Sequence, residues 1–168
     1  MYDMQANKDN AIQIAEALIP QEAIDRLRIV LSNEDYVAAL QSFSNPKPIV
    51  FRINTLRSTE ASVLEDLSSA GLEVTPIPWC PLGYKLENGT IGDLQSLRCG
   101  KEGWIYIQAA SSMTAAHAMQ VEEGMSVLDM CAAPGSKTTQ LAAVLNNTGI
   151  LIANDRSRKR LYRLREVL

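Results

Sequence analysis

The sequence is poor in the residues on which several common classes of site depend. It has three cysteines and one histidine among 168 residues. The spacing of Cys80, Cys99 and Cys131 fits no metal-binding motif, so we expect no metal site. An odd set of cysteines also favours a reducing compartment over a secreted, disulfide-linked protein.

Long apolar runs and an excess of basic charge are missing as well. No apolar run reaches the roughly 18 residues of a membrane span, and the polar N-terminus lacks the apolar segment of a secretory signal. These absences predict a cytoplasmic protein with no membrane partner. The net charge is −3 and aromatic residues make up 5% of the chain, so the composition carries no overall signature of nucleic-acid binding.

The stretch most typical of a ligand site is SVLDMCAAPGSKTTQL, between Ser126 and Leu141. An apolar strand ends at Asp129, a turn of small residues follows, and a helix begins near Ser136. The turn lacks the glycines of a dinucleotide-binding loop and the glycine spacing of a phosphate-binding loop. What remains is a strand, a tight turn and a helix N-terminus, the arrangement that binds small ligands in α/β proteins.

A second acidic residue, Asp155, follows the next apolar run along the chain. In nucleotide sites of this layout, an acid at the end of the second strand accepts hydrogen bonds from the ribose hydroxyls. The alternative is that Asp129 and Asp155 only cap helices, since aspartate is common at that position.

Several blocks, in a fixed order, resemble the RNA cytosine-5 methyltransferases of the RsmB/NOP2/Sun group. The stretch DMCAAPGSKTTQLA is similar to the cofactor loop of that family. Residues 51–56 resemble its RVNTL segment, and residues 106–113 resemble its YIQEASSM segment. Ala153-Asn154-Asp155 resembles the segment that carries its second-strand acid. The stretch from Thr75 to Tyr84 resembles the bacterial branch that modifies 16S ribosomal RNA.

The resemblance implies S-adenosylmethionine as the cofactor and RNA, in particular ribosomal RNA, as the partner. It assigns the methionine and ribose part of the cofactor to Cys131, Ala132, Ala133, Pro134, Gly135, Ser136 and Lys137, and the ribose hydroxyls to Asp155. Lys137 is expected near the cofactor carboxylate or near the reacting base.

Methylation of cytosine at C5 needs a reactive thiolate that adds to C6. The family supplies it from an acidic-Pro-Cys loop and a later cysteine motif, and this sequence contains neither. We therefore assign no catalytic residue and expect an N-terminal fragment that is inactive by itself. The rival interpretation is a non-catalytic RNA-binding or assembly module derived from the same fold.

The predicted fold class is α/β, with three parts. A helical extension over 1–42 includes helices over 11–19 and after Pro20, and a third capped by Ser32 or Asn33. A small α+β subdomain of ferredoxin or RRM type, facing RNA, covers 43–110. The front part of a Rossmann-like methyltransferase domain, left with exposed apolar surface and an unpaired strand edge, covers 111–168.

Four local expectations concern individual residues. Ser58 is predicted to cap a helix, and Cys99 to lie in a polar turn. Arg52 and Arg57 are predicted either to contact phosphates or to be solvated. The final helix, from Ser157 to the C-terminus, carries one basic cluster, which either binds RNA phosphates or is a solvated helix face.

Overall fold

A computed structural model describes residues 17–168, which divide into two compact units. The first ends at Lys47 and the second begins at Pro48. Most of the helix predicted over residues 11–19 lies outside the described residues. The division of the chain into 1–42, 43–110 and 111–168 stays a prediction.

The first unit contains two helices, α1 (Gln21–Val30) and α2 (Asn33–Ser44). The side chain of Ser32 accepts a hydrogen bond from the backbone N–H of Asp35 and thereby caps α2. Ile24 and Leu40 are fully buried against each other. The two helices and one of the two proposed caps are confirmed.

The second unit begins with a four-stranded antiparallel sheet. Its elements follow one another as β1 (Val50–Ile53), α3 (Glu60–Ser69), β2 (Val74–Pro76), β3 (Gly83–Leu86), α4 (Ile91–Ser96), α5 (Arg98–Lys101) and β4 (Ile105–Ile107). The spatial order of the strands is β2-β3-β1-β4. Counting α4 and α5 as one connection, this βαββαβ order is that of a ferredoxin-like domain, as predicted.

The core of this domain lies between one face of the sheet and its helices. Successive residues of a strand point to opposite faces, so Phe51 and Ile53 face the same side and pack with Val63 and Leu67 of α3. Burying side chains of this size contributes about 1.5–3 kcal/mol each. All four residues of β1 are buried, so its other face, which carries Arg52, is covered too.

Two local predictions for this domain were wrong, and one helix was missed. The cap of α3 is Thr59, whose side chain accepts from the N–H of Ser62, and not Ser58. Cys99 lies in α5 and is fully buried, whereas a polar turn was expected. Helix α4 was not predicted, although Thr90 and Asp93 form a capping box at its start that the sequence displays.

The remaining elements build a parallel two-stranded sheet. They are α6 (Ala110–Ala118), β5 (Ser126–Asp129), α7 (Ser136–Leu145), β6 (Ile150–Ala153) and α8 (Arg158–Val167). β5 and β6 pair in parallel, from Ser126 opposite Ile150 to Asp129 opposite Ala153. A strand, a helix and a parallel strand form the βαβ unit of Rossmann-like folds, as predicted.

This small sheet exposes apolar side chains, as expected from the sequence. Leu128, Ile150 and Ile152 are 56–57% exposed. Within residues 17–168, β5 and β6 pair only with each other. On α8, Leu164 is buried and Val167 packs beside it, whereas Leu168 is exposed. No helix among the described residues is long and apolar enough to cross a membrane.

Candidate functional site

The turn from Met130 to Gly135, here called the 130–135 loop, joins β5 to α7. The N–H of Asn154 donates to the carbonyl of Asp129 (2.8 Å), and the N–H of Ala132 donates to the carbonyl of Asn154 (2.9 Å). The hydrogen-bonded ladder between the strands therefore continues past their ends. These bonds hold the loop at the carboxyl edge of the sheet, where ligands bind in open α/β folds.

Asp155 is directed at this loop from the end of β6. Its carboxylate accepts hydrogen bonds from the N–H of Ala133 (3.1 Å) and of Ser157 (2.9 Å), and Arg160 lies 3.5 Å away. The bond from Ser157, helped by that from Ala133 and by the charge of Arg160, lowers the pKa of Asp155. Asp155 is therefore an ionised acceptor in contact with the loop backbone, and the N-cap of α8 is Ser157.

Asp129, at the end of β5, contacts the start of the loop. Its carboxylate accepts from the N–H of Cys131 (3.1 Å) and from the hydroxyl of Thr138 (2.7 Å). The N-cap position of α7 is occupied by Gly135, so Asp129 does not cap that helix. Asp129 instead ties the strand end to the first turn of α7 through a buried threonine, a role that the sequence analysis did not identify.

The small residues of the loop make room for α8. Ala132 and Ala133 are buried against Leu164. A Cβ on Gly135 would lie 2.7 Å from a methyl of Val167 and 2.9 Å from a methyl of Leu164. Small side chains at these positions are therefore required by the packing of α8, and not only by the approach of a ligand to the backbone. Of the predicted site residues, Cys131, Pro134 and Lys137 are exposed.

A cavity of about 120 Å³ lies beside the end of β5. Its lining includes Asp129, Met130 and Lys137, together with residues of α6, whereas Asp155 does not line it. The ammonium of Lys137 donates to the hydroxyl of Ser112 (3.0 Å). The structure thus brings Asp155 onto the loop at Ala133 and directs Lys137 towards α6.

The three cysteines are free and differ in environment. Burial raises the pKa of Cys80, and burial together with Asp66 raises that of Cys99 to about 12. A thiol with a raised pKa is a poor nucleophile at neutral pH. Cys131 is exposed within the loop. Among residues 17–168, no group of three or more metal-ligating side chains could hold a metal ion.

Arg52 is neither in contact with solvent nor placed to reach a phosphate from outside, and both predictions for it were wrong. It is 3% exposed, and its guanidinium donates to the side chain of Gln108 (3.1 Å) and to Ser136 and Thr139 of α7. Strand alternation carries the signal that was missed, because Arg52 points to the face opposite Phe51. Arg57 is exposed and donates to two backbone carbonyls.

Comparison with known proteins agrees with this arrangement. Residues 116–168 match the family described as 16S rRNA methyltransferase RsmB/F, and residues 19–91 match the RsmF/B-like ferredoxin-like domain. The chain belongs to the RsmB/F methyltransferase family. The first matched segment runs from just before α1 to the start of α4, and the second runs from the end of α6 to residue 168.

Curated relatives carry the description ribosomal RNA small subunit methyltransferase F. The protein from Vibrio campbellii is 36% identical over 85% of this chain, and that from Pectobacterium atrosepticum is 38% identical over 86%. The Escherichia coli protein is 40% identical over 78% of the chain. This RsmB/F chain spans 31%, 31% and 28% of the length of these three relatives.

Solved structures share the fold. A methyltransferase homolog protein from Pyrococcus horikoshii is 30% identical, with a TM-score of 0.78 over 98% of this chain and 53% of its own. The structure of NSun6 from the same organism, with SFG, also has a TM-score of 0.78, over 88% of this chain and 62% of its own, at 18% identity. Because the sequence identity to NSun6 is low, this similarity supports a shared fold and nothing further.

Proposed function

We propose that this chain carries the cofactor site of an S-adenosylmethionine-dependent RNA (cytosine-5-)-methyltransferase that acts on ribosomal RNA in the cytoplasm. The observation that carries the proposal is the ionised carboxylate of Asp155, held against the 130–135 loop at the edge where two parallel strands end. Membership of the RsmB/F family supports the same reaction. The ferredoxin-like domain is the part we propose to face the RNA.

The residues of the loop fit the polar groups of the cofactor. A carboxylate oxygen accepts two hydrogen bonds, so Asp155 keeps acceptor capacity for ribose hydroxyls beyond its bonds to Ala133 and Ser157. The first turn of α7 and the exposed ammonium of Lys137 provide positive potential for the amino-acid carboxylate. The bound cofactor would supply an electrophilic methyl group. We propose that Cys131 to Lys137 line its methionine and ribose part.

Substitution of Asp155 by asparagine tests this assignment with a matched pair of ligands. We expect the wild-type chain to bind S-adenosylhomocysteine about 10- to 100-fold more tightly than its 2′,3′-dideoxyribose analogue, the range for hydrogen bonds to a charged acceptor. Asp155→Asn should lose most of this preference, because it removes the charge that the ribose hydroxyls contact. Isothermal titration calorimetry measures both dissociation constants.

Asp129→Asn is the control, since Asp129 also accepts a hydrogen bond from the loop backbone but is not assigned to the ribose. It should keep the preference for the ribose ligand even if both ligands bind more weakly. Equal preferences in the wild type and in Asp155→Asn would contradict the assignment. Absence of any binding by the wild type would contradict the cofactor site itself.

We also propose that these 168 residues transfer no methyl group by themselves. The thiols of Cys80 and Cys99 are buried with raised pKa values, and Cys131 lies within the proposed cofactor loop. None of them combines a reactive thiolate with a pocket for a base. When the 168-residue chain is incubated with tritiated S-adenosylmethionine and 16S ribosomal RNA, we expect no labelled RNA. Label that persists in a variant lacking all three cysteines would contradict the need for a thiolate.

A non-catalytic RNA-binding or assembly module derived from the same fold is the alternative. The burial of Cys80 and Cys99 favours it, because neither thiol is available as a nucleophile for the reaction. The two proposals differ in cofactor binding. A module that has lost the chemistry should bind ribosomal RNA in a filter assay and give no heat with S-adenosylhomocysteine.

A further inference from the structure

Arg52 is a buried cation that joins the ferredoxin-like sheet to the start of α7. It lies on β1, and its guanidinium donates to the carbonyl of Ser136 (3.3 Å) and to the hydroxyl of Thr139. The same hydroxyl lies 2.7 Å from the carbonyl of Gly135, the last residue of the 130–135 loop. One side chain of the first sheet therefore contacts the first helical turn that follows the loop.

A chain of amides extends this connection. The Nε of Arg52 donates to Gln108 (3.1 Å), Gln108 donates to Gln140 of α7 (3.3 Å), and Gln140 donates to the carbonyl of Met113 in α6 (3.2 Å). All of these bonds are buried. The network links β1, the segment after β4, α6 and α7, and it fixes the rotation of α7 about its axis relative to the sheet.

Stability does not account for a charge at this position. The titratable groups that act on Arg52 are the phenol of Tyr106 and the thiol of Cys80, both neutral at neutral pH because burial raises their pKa values, and no carboxylate of the described residues is among them. The Tyr106 ring, whose centroid lies 5.2 Å from Cζ of Arg52, adds a cation–π contact but no counter-charge. Burial lowers the pKa of Arg52 to about 10. Its Nη1 is buried and has no hydrogen-bond partner among residues 17–168. A buried cation that has only neutral acceptors costs free energy, and a well-packed apolar side chain often stabilises such a site.

We propose that Arg52 is a positioning residue, through which the ferredoxin-like sheet sets the orientation of the 130–135 loop and of the first turn of α7. Such support is what a binding loop needs, because a ligand-contacting group must be held to within about half an ångström of its productive position. The affinity for S-adenosylhomocysteine tests this role only together with the proposed function, on which it rests. A second measurement, amide hydrogen exchange, therefore follows the loop directly.

The test compares Arg52→Met and Arg52→Lys with Arg57→Met. Arg57 is the neighbouring arginine, but it is exposed, and within the described part of the chain its side chain donates only to the carbonyls of Glu102 and Leu168. We expect both Arg52 variants to bind S-adenosylhomocysteine about 10-fold more weakly. Amide hydrogen exchange over residues 132–139 should accelerate, while exchange in β1 to β4 and the urea midpoint stay close to wild type. Arg57→Met should match wild type in every measurement.

Two substitutions of Thr139 test the same contact, one that removes the hydroxyl and one that keeps it. Thr139→Val removes the acceptor and should reproduce the Arg52→Met phenotype, whereas Thr139→Ser keeps the hydroxyl and should behave like wild type. Arg52→Met combined with Thr139→Val should lose no more affinity than the weaker-binding single variant, because both remove the same contact.

Two results would overturn the proposal. One is unchanged exchange over residues 132–139 in Arg52→Met. The other is acceleration spread evenly over both sheets with a lowered urea midpoint, which is the signature of a purely structural residue. If the wild type binds no S-adenosylhomocysteine, the proposed cofactor site fails, while the exchange pattern still decides the role of Arg52.

Discussion

Replacing Gly100 with alanine is expected to lower the free energy of unfolding by about 3 kcal/mol, the upper end of the range for overpacked cores. Gly100 lies in α5, where a Cβ would overlap the carbonyl oxygen of Leu94 and approach Cα of Gln95 to 2.8 Å. Both are backbone atoms of α4, so no rotamer change relieves the clash. The two helices would have to separate, and Leu94 and Cys99, both fully buried between them and the sheet, would lose their packing.

Gly92→Ala is the matched control. Gly92 lies in α4, and the nearest atom to the position that its new methyl group would take is the hydroxyl oxygen of Thr90 at 3.5 Å, an ordinary contact. A helical glycine replaced by alanine without a clash gains up to about 1 kcal/mol. Urea unfolding followed by far-ultraviolet circular dichroism should thus move the midpoints of the two variants in opposite directions. Equal midpoints would show that α4 and α5 are less closely packed than described.

Gly135→Ala is expected to weaken binding of S-adenosylhomocysteine by about 100-fold or more, equivalent to about 2.7 kcal/mol. The φ angle of Gly135 is +124°, a conformation that L-residues rarely adopt. Its Cβ would also push Val167 and Leu164 of α8 away from the loop. Strain and displacement act together at the N-terminus of α7, where the cofactor carboxylate is proposed to bind. Calorimetric titration measures the loss.

Gly124→Ala separates strain from displacement. Gly124 has a φ of +83° at the opposite end of β5, and no atom lies within 4 Å of the position that its Cβ would take. The free energy of unfolding of Gly124→Ala should fall by about 1–3 kcal/mol through backbone strain alone. The variant should bind S-adenosylhomocysteine like wild type. Adding Val167→Ala to Gly135→Ala should restore part of the affinity by relieving the closest contact. Equal affinity in Gly135→Ala and Gly124→Ala would contradict the proposed role of the loop.

The elements found most readily from the sequence are those that local pattern defines. The apolar run from Ser126 to Asp129 predicted β5, together with the helix start at Ser136. Capping chemistry at Ser32 acts over three residues, so it too is visible without a fold. Errors of one residue, such as Ser58 in place of Thr59, arise because neighbouring hydroxyls satisfy the same rule.

The short helices α4 and α5 show the limit of that approach. Each has six residues or fewer, which is too short for periodicity to separate a helix from a turn. A polar turn was therefore the prediction for Cys99. Its burial follows from the docking of α5 on the sheet and from the bond of its N–H to Asp66, 33 residues away in sequence.

The sequence alone determined the family, the strand–turn–helix order of β5 and α7, and the pairing of a small-residue loop with a downstream acid, because all three depend on residue type and spacing along the chain. Only the tertiary structure decided what Gly135 and Arg52 do. Gly135 is small because α8 packs onto it, and Arg52 is buried because α7 covers the second face of β1. Both causes lie in elements distant along the chain. Strand alternation places Arg52 on the face opposite Phe51, but only the position of α7 shows that this face is buried.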